Sequence, residues 1–381
     1  MLESIYKLNK KSSIFNIFKK DIVFTISFLL AILSSSMYTP KIEYIDFKVL
    51  VSLFNLMLVV KALEELKILD KFAVDIINKC SNQRKVSLIL IVLCFLSSMF
   101  ITNDVALITF VPLALIISKK TETPMVDTII FQTLAANIGS SLTPMGNPQN
   151  LFIFSYYKLT VGKFFSTVGI FVVLGALVLL VLNRRITKQN LDVELPSIEV
   201  ENKKEAIVWA VVFAIITASI LGVVSYKLAF VVTLFTVLIF NKNLLAKIDY
   251  PLLVTFVCFF IFIGNLSHVE AVHSYMREHL QSTSSVYFGS ILTSQFISNV
   301  PSALLLSKFT DNWRALLLGV NLGGMGTLIA SLASVISYKL FVKENPSSGK
   351  AYMIRFSVYN FLGLILLAGI SYLILIVFNL G

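Results

Sequence analysis

The stretch "SMFITNDVALITFVP", Ser98 to Pro112, decides how this chain is read. Apolar runs lie on both sides of it, yet its middle is Thr102-Asn103-Asp104. A carboxylate with two polar neighbours is expensive in hydrocarbon, and at membrane depth it marks a functional site by default. The competing reading is a buried cap on the helix that starts there.

The hydrocarbon setting follows from composition. Hydrophobic residues make up 57% of the chain and charged residues 14%, with a mean hydropathy of +0.85. A soluble domain carries roughly 25% charged residues, so that class is excluded. The net charge of +11 would suggest nucleic acid on a soluble chain. Here Lys and Arg gather in the loops of one side, the positive-inside pattern. The expected partner is therefore the lipid bilayer of the cell membrane, with no nucleic acid. Cys80, Cys94 and Cys258 are scattered and give neither a disulfide framework nor a metal spacing. The Lys-rich, partly amphipathic segment 1–20 is expected on the cytoplasmic side, running into the first span without a cleavable signal peptide.

Spans are expected at 21–38, 47–66, 126–157, 164–183, 205–222, 228–241, 251–267, 314–338 and 352–378. Segment 67–85 reads as an amphipathic helix at the interface, and the hydrophilic loop 183–205 links two halves. Two more apolar stretches, 86–118 and 284–310, are interrupted by polar residues. The first has arms Val86–Ile101 and Val105–Ser118. At about 1.5 Å per residue each arm reaches roughly 21–24 Å, short of a core about 30 Å thick. Arg84-Lys85 precede it and Lys119-Lys120 follow it. Both stretches are therefore expected to be re-entrant, because that places more of the Lys and Arg inside.

The second stretch, "SQFISNVPSALLLSKF" (Ser294 to Phe309), echoes the first: Phe100-Ile101-Thr102-Asn103 aligns with Phe296-Ile297-Ser298-Asn299. Each is followed by a broken span, "AANIGSSLTPMGNPQNLFIF" (Ala135 to Phe154) and "GVNLGGMGTLIASLASVISY" (Gly319 to Tyr338), with Asn137-Ile138-Gly139 matching Asn321-Leu322-Gly323. The expected fold is an all-α polytopic membrane protein with inverted repeats, each holding a re-entrant helical hairpin and a broken transmembrane helix. The first repeat is 21–183, the linker loop and linking span 184–227, and the second repeat 228–381. Paired broken segments in two inverted halves point to a secondary transporter's binding site.

In lipid, unwound backbone survives only when it is buried in protein or lines a wet cavity. Two Gly and two Pro in "GSSLTPMGNP" break the first span. Asn147 suits an N-cap and Pro148 the first helical position. Helix starts at the midplane attract anions. Carbonyls freed before each break, with Thr, Ser and Asn oxygens, are hard ligands that suit Na⁺.

These segments resemble the paired signatures of the ion transporter superfamily. That group includes divalent-anion/sodium symporters, citrate transporters, arsenite permeases and sodium/proton antiporters. The resemblance covers about 47 to 378 and is closest to the short bacterial anion-transporter branch, near the arsenite permeases. It implies a first cation cup from Thr102 and Asn103 with carbonyls near Gly139, alongside Asn137. A second cup is implied from Ser298 and Asn299 with carbonyls near Gly323, alongside Asn321. The implied substrate contacts are Asp104, Thr143, Pro144, Gly146, Asn147, Val300, Pro301 and Thr327. Symporters carry Thr where this chain has Asp104 and Val300, which weakens a dicarboxylate assignment. The resemblance also implies a homodimer, and a transport unit of hairpins and broken helices that moves against a scaffold of the other spans.

The expected function is secondary active transport of a small anion coupled to Na⁺ or H⁺, with no other cofactor. Efflux of arsenite-type oxyacids or Na⁺/H⁺ exchange is the alternative, and Asp104 favours it. No metalloprotease, Asp-rich or nucleophile-elbow motif suggests an enzyme, and no ATP-binding loop suggests a primary pump. Lys61 and Glu65, four apart, are expected to pair. Trp209 and Trp313 are expected at the interface. His268, Glu270 and His273 are not expected to bind metal.

Overall fold

A computed structural model describes residues 22–191, 194–200 and 202–377. The N-terminal segment 1–20 and the outer ends of the first and last spans lie outside the described residues. The first repeat runs α1 (Ile22–Met37), α2 (Phe47–Glu65), α3 (Ile68–Ile77), α4 (Gln83–Ile101), α5 (Asn103–Thr121), α6 (Val126–Ser140), α7 (Pro148–Tyr156) and α8 (Val161–Asn183). One helix, α9 (Lys203–Ile220), leads to the second. That repeat runs α10 (Tyr226–Phe240), α11 (Tyr250–Leu266), α12 (Glu270–His279), α13 (Thr283–Ile297), α14 (Asn299–Leu306), α15 (Trp313–Gly323), α16 (Leu332–Glu344) and α17 (Gly349–Val377). Eight helices thus recur in order, α1–α8 and α10–α17.

Local chemistry recurs with them. Asp46 caps α2 by accepting the Val49 N–H at 3.0 Å, and Asp249 caps α11 by accepting the Leu252 N–H at 3.1 Å. Asn82 and Ser282 begin the two hairpins in the same way, each at 3.0 Å. Packing is reciprocal: α1 lies on α11 and α10 on α2, while α5 lies on α16 and α14 on α7. A two-fold relation produces contacts of this kind, in which each copy presents the same face to the other. The single helix α9 joins the two copies.

By length and composition, α4, α8 and the segment ending at Val377 are long and apolar enough to cross a membrane alone. The helix α12 turns 96° away from α11, and α3 is separated from α2 by Lys67 at φ 54°. On α3 the buried residues Ala73, Val74 and Ile77 form one face.

Several expectations need correction. The first hairpin's arms are 19 residues each, about 28 Å at the helical rise. They nearly match the core thickness, so the reversal at Thr102, rather than short arms, makes the segment fold back. The second hairpin's arms are 15 and 8 residues. The second broken span runs past Tyr338 to Glu344. Lys61 pairs with Glu64 at 2.9 Å, not with Glu65, which instead pairs with Lys247 and accepts from Asn241. Trp209 is fully buried and donates to Glu205 at 3.2 Å. His268 bonds the Gly264 carbonyl, while His273 faces the Phe309 ring. The hydrophilic loop is docked on the base of the first repeat. There Asn78 exchanges bonds of 2.9 and 2.8 Å with the Leu195 backbone, and Arg84 donates to the Ile186 carbonyl at 2.7 Å.

Candidate functional site at the two hairpin tips

Both hairpins reverse on one residue held in the same unusual conformation. Thr102 has φ 73° and ψ 151°, and Ser298 has φ 75° and ψ 155°. That region is almost reserved for glycine, and a side-chain-bearing residue there costs roughly 1–3 kcal/mol. Such strain persists only where the surroundings over-determine it, and they do so twice. The Asn103 N–H donates to the Gly146 carbonyl at 3.2 Å, and the Ser298 hydroxyl donates to the Ala330 carbonyl at 3.3 Å. One turn back, the Thr143 hydroxyl donates to the Met99 carbonyl, and the Thr327 hydroxyl to the Gln295 carbonyl at 3.0 Å. Thr143 and Thr327, expected to contact substrate, thus anchor the tips to the unwound segments.

Those segments lie between α6 and α7 and between α15 and α16. Asn147 caps α7 as expected, accepting the Asn150 N–H at 2.9 Å ahead of Pro148. In the second repeat Ser331 holds that place without a side-chain cap and donates to Asn137 at 3.0 Å instead. Asn137 also accepts from Asn103 at 3.2 Å and donates to Ser334 at 3.3 Å. Its counterpart Asn321 accepts from Asn147 at 3.2 Å and donates to Asn150 at 2.7 Å. Each repeat's central Asn is therefore held by the other repeat's second half-helix. Asn103, Asn137, Asn147, Asn299, Asn321 and Ser298 are all buried.

Gly139 and Gly323 are where the hairpins touch the broken helices most closely. A Cβ on Gly139 would fall inside contact distance of the Phe95 carbonyl and 2.7 Å from Ser98 Oγ. One on Gly323 would lie 2.6 Å from Ser294. Small residues that admit close backbones are the usual interhelical contact in membranes. Pro144 and Gly146 are buried in the first unwound turn, and Val300 and Pro301 occupy the first turn of α14.

Asp104 lies in the first turn of α5 and is partly exposed. It caps nothing: its own N–H donates to Asn103 Oδ1 at 3.1 Å. Its carboxylate has no hydrogen-bonding or ion-paired partner among the described residues.

The structure gathers Thr102, Asn103, Asn137, Gly139, Thr143, Gly146 and Asn147 around one tip. Ser298, Asn299, Asn321, Gly323 and Thr327 gather around the other. Sequence reasoning missed Gln295, Ser331 and Ser334 and left Asn150 without a role. Asn150 closes the run Thr143-Pro144-Met145-Gly146-Asn147-Pro148-Gln149-Asn150, whose spaced Pro, Gly and Asn are a usable signal. Gln295 stands three residues before the strained Ser298, a position without meaning until the tip is folded.

Comparison with known proteins agrees with this architecture. Residues 13–312 match the citrate transporter family. An uncharacterized transporter of Methanocaldococcus jannaschii is 34% identical over 302 residues, 78% of this chain and 81% of that one. The inner membrane protein YbiR of Escherichia coli is 29% identical over 343 residues, 87% of this chain and 88% of its own. A Dictyostelium discoideum protein named as transporter arsB is 27% identical over 134 residues, 34% of this chain and 23% of its own. The chain belongs to the citrate transporter family, and is a membrane transporter of the citrate and arsenite permease type rather than an enzyme.

Proposed function

We propose that this protein is a secondary active transporter that moves a small anion, a carboxylate or an inorganic oxyanion, coupled to Na⁺ or H⁺. The observation that carries this reading is the meeting of two strained tips and two unwound segments at one buried polar centre. Irregular backbone at membrane depth, paired across inverted repeats, is how alternating-access transporters build a site. At the first tip, Thr102, Asn103 and the neighbouring carbonyls are hard oxygen donors, and Asp104 adds a charge that a cation or a proton neutralises. The starts of α5, α7 and α14 turn the positive ends of their helix dipoles toward the anion. The centre is buried, so substrate enters only when the hairpins and broken helices shift against α1, α2, α9, α10 and α11. The working unit is a homodimer in the cell membrane with its N-terminus cytoplasmic.

The unpartnered Asp104 carboxylate favours a second reading, proton-coupled efflux of an arsenite-type oxyacid or Na⁺/H⁺ exchange. One experiment separates the two. Thermal stability of the purified protein is measured in K⁺, Na⁺ and Li⁺ at pH 5.5 and 8, for wild type, Asn103→Ala and Asp104→Asn. A ligand bound only to the folded state raises stability by mass action. Stabilisation by Na⁺ that Asn103→Ala removes supports symport, and an anion panel in Na⁺ then identifies the substrate. No response to Na⁺, with a pH response that Asp104→Asn removes, overturns symport in favour of efflux or exchange.

A further inference from the structure

Two exposed apolar stripes end in cations at one junction. On α4 the exposed Leu96, Val92 and Lys85 are spaced four and seven apart, which sets them along one side of the helix. On α8 the exposed Val173, Leu177, Leu180 and Arg184 follow at intervals of four, three and four. Both helices are long and apolar enough to cross a membrane, and they pack on each other. Three bonds tie their ends together. The Asn183 side chain donates to the Arg84 carbonyl at 3.3 Å. The Arg84 guanidinium donates to the Ile186 carbonyl at 2.7 Å, and the Gln83 N–H to the Gln189 carbonyl at 2.9 Å. These bonds draw Lys85, Arg184, Arg185 and Lys188 to the junction. All four are exposed, and none has an ion-pair partner among the described residues. Like charges gathered by a fixed backbone repel one another, and a counter-anion relieves that repulsion.

We propose that the junction of α4 and α8 binds an anionic phospholipid of the leaflet on the side of loop 183–205. Its phosphate sits among the four cations, and its two acyl chains lie along the two stripes. Arg184 and Arg185 offer planar forks that match two phosphate oxygens at once, and Lys85 and Lys188 add point charges. Basic clusters at the ends of spans attract anionic headgroups in this way. A free inorganic anion satisfies the cations and leaves both stripes untouched, whereas a phospholipid covers charge and hydrocarbon together. A zwitterionic headgroup brings its own ammonium to the cluster and gains less. The site is separate from the polar centre and does not depend on what is transported.

The test is the thermal stability of the purified full chain in detergent, with added dioleoyl phosphatidylglycerol, dioleoyl phosphatidylcholine or inorganic phosphate. A lipid bound only to the folded state raises Tm by mass action. Wild type is compared with the triple variant Lys85→Gln/Arg184→Gln/Arg185→Gln. The control, Lys339→Gln/Lys343→Gln/Lys350→Gln, removes as much charge from exposed, unpaired cations at the end of α16 and the start of α17. Phosphatidylglycerol is expected to raise the wild-type Tm several degrees above phosphatidylcholine, and inorganic phosphate to leave it unchanged. The triple variant is expected to lose this advantage and the control to keep it. If the triple variant does not fold, Arg184→Gln alone is expected to shrink the advantage. Equal effects of the two lipids on wild type, or equal losses in the triple variant and the control, overturn the site. So does an advantage that Arg184→Gln leaves intact when the triple variant does not fold. Stabilisation by inorganic phosphate as large as that by phosphatidylglycerol overturns the lipid as occupant.

Discussion

Asn137 and Asn321 stand in the same relation to opposite halves of the molecule. Asn137 is held by Ser331 and Ser334 of the second repeat, and Asn321 by Asn147 and Asn150 of the first. Each amide has one bond within its own repeat, Asn137 from Asn103 and Asn321 to the Leu317 carbonyl, and draws the rest from the other. The polar centre therefore exists only when the two are interlocked, and its geometry is common property of both.

Removing one amide leaves buried partners unpaired. Asn321→Ala strands Asn147 Nδ2 at one of its contacts and deprives Asn150 Oδ1 of its donor. An unsatisfied buried group costs about 1–3 kcal/mol. The variant is expected to unfold at lower temperature in detergent by a corresponding margin. An unchanged Tm would show that the clasp contributes nothing.

Gly139→Ala is expected to be far more damaging than its single added methyl suggests, because the Phe95 backbone occupies that space. Overpacking of this kind costs about 1–3 kcal/mol. Gly169→Ala, with nothing within 4 Å, is the matched control and is expected to leave stability and transport unchanged. Equal behaviour of the two variants would refute the close approach.

Thr143→Val keeps the shape of the side chain and removes the donor to the Met99 carbonyl. The loss is roughly 0.5–1.5 kcal/mol, but its main effect falls on the strained tip at Thr102. Transport in proteoliposomes is expected to drop several-fold, with Thr143→Ser near wild type and Thr327→Val parallel to Thr143→Val. Full transport by Thr143→Val would separate the threonine from the tip.

Phe152 of α7 and Phe260 of α11 lie with ring centroids 6.0 Å apart, across the boundary between the proposed moving unit and its scaffold. A Cys pair at these positions, with Cys80, Cys94 and Cys258 replaced, can be bridged by a bifunctional thiol reagent. Bridging is expected to stop transport, and reduction of a cleavable bridge to restore it. Undiminished transport by the bridged protein would rule out relative movement at this boundary.

Asp70 lies on the interfacial helix α3. Burial, and next the Glu64 charge, push its carboxyl above the ordinary carboxylate range, against its own backbone amide and Lys67. A raised value means that folding favours the protonated acid. The contribution to stability is full below the unfolded value and is lost as pH rises through the folded one. Asp70→Asn is therefore expected to raise Tm at pH 7 and leave it unaltered near pH 3. A lower Tm at pH 7 would mean that the charged carboxylate stabilises the fold.

The helix order, both reversals and the Asn147-Pro148 restart were legible because Gly, Pro, Asn and apolar run length act locally. Most helix ends fall within a few residues of expectation. Partner choice was not legible. Spacing suggested Lys61 with Glu65, yet Glu65 pairs with Lys247, 182 positions away. Nothing local announces that Asn150 will meet Asn321, 171 positions on. Such pairs are set by how the repeats interlock, which a linear pattern does not encode. The role of Gln295 was hidden for the same reason, since its acceptors at Gly323 and Met325 lie across a fold.

The reciprocal clasp also bears on how the protein is made. A ribosome delivers Asn137 and Asn150 to the bilayer long before residues 321–334 are synthesised. Until then Asn137 Nδ2 and Asn150 Oδ1 lack the partners that the second repeat brings, and the half-made chain is a poor lodger in lipid. The insertion machinery must shelter the first repeat, or let water reach it, until the second arrives to close the centre. A chain truncated after α9 should accordingly be inserted and then degraded, even though every helix it contains is intact.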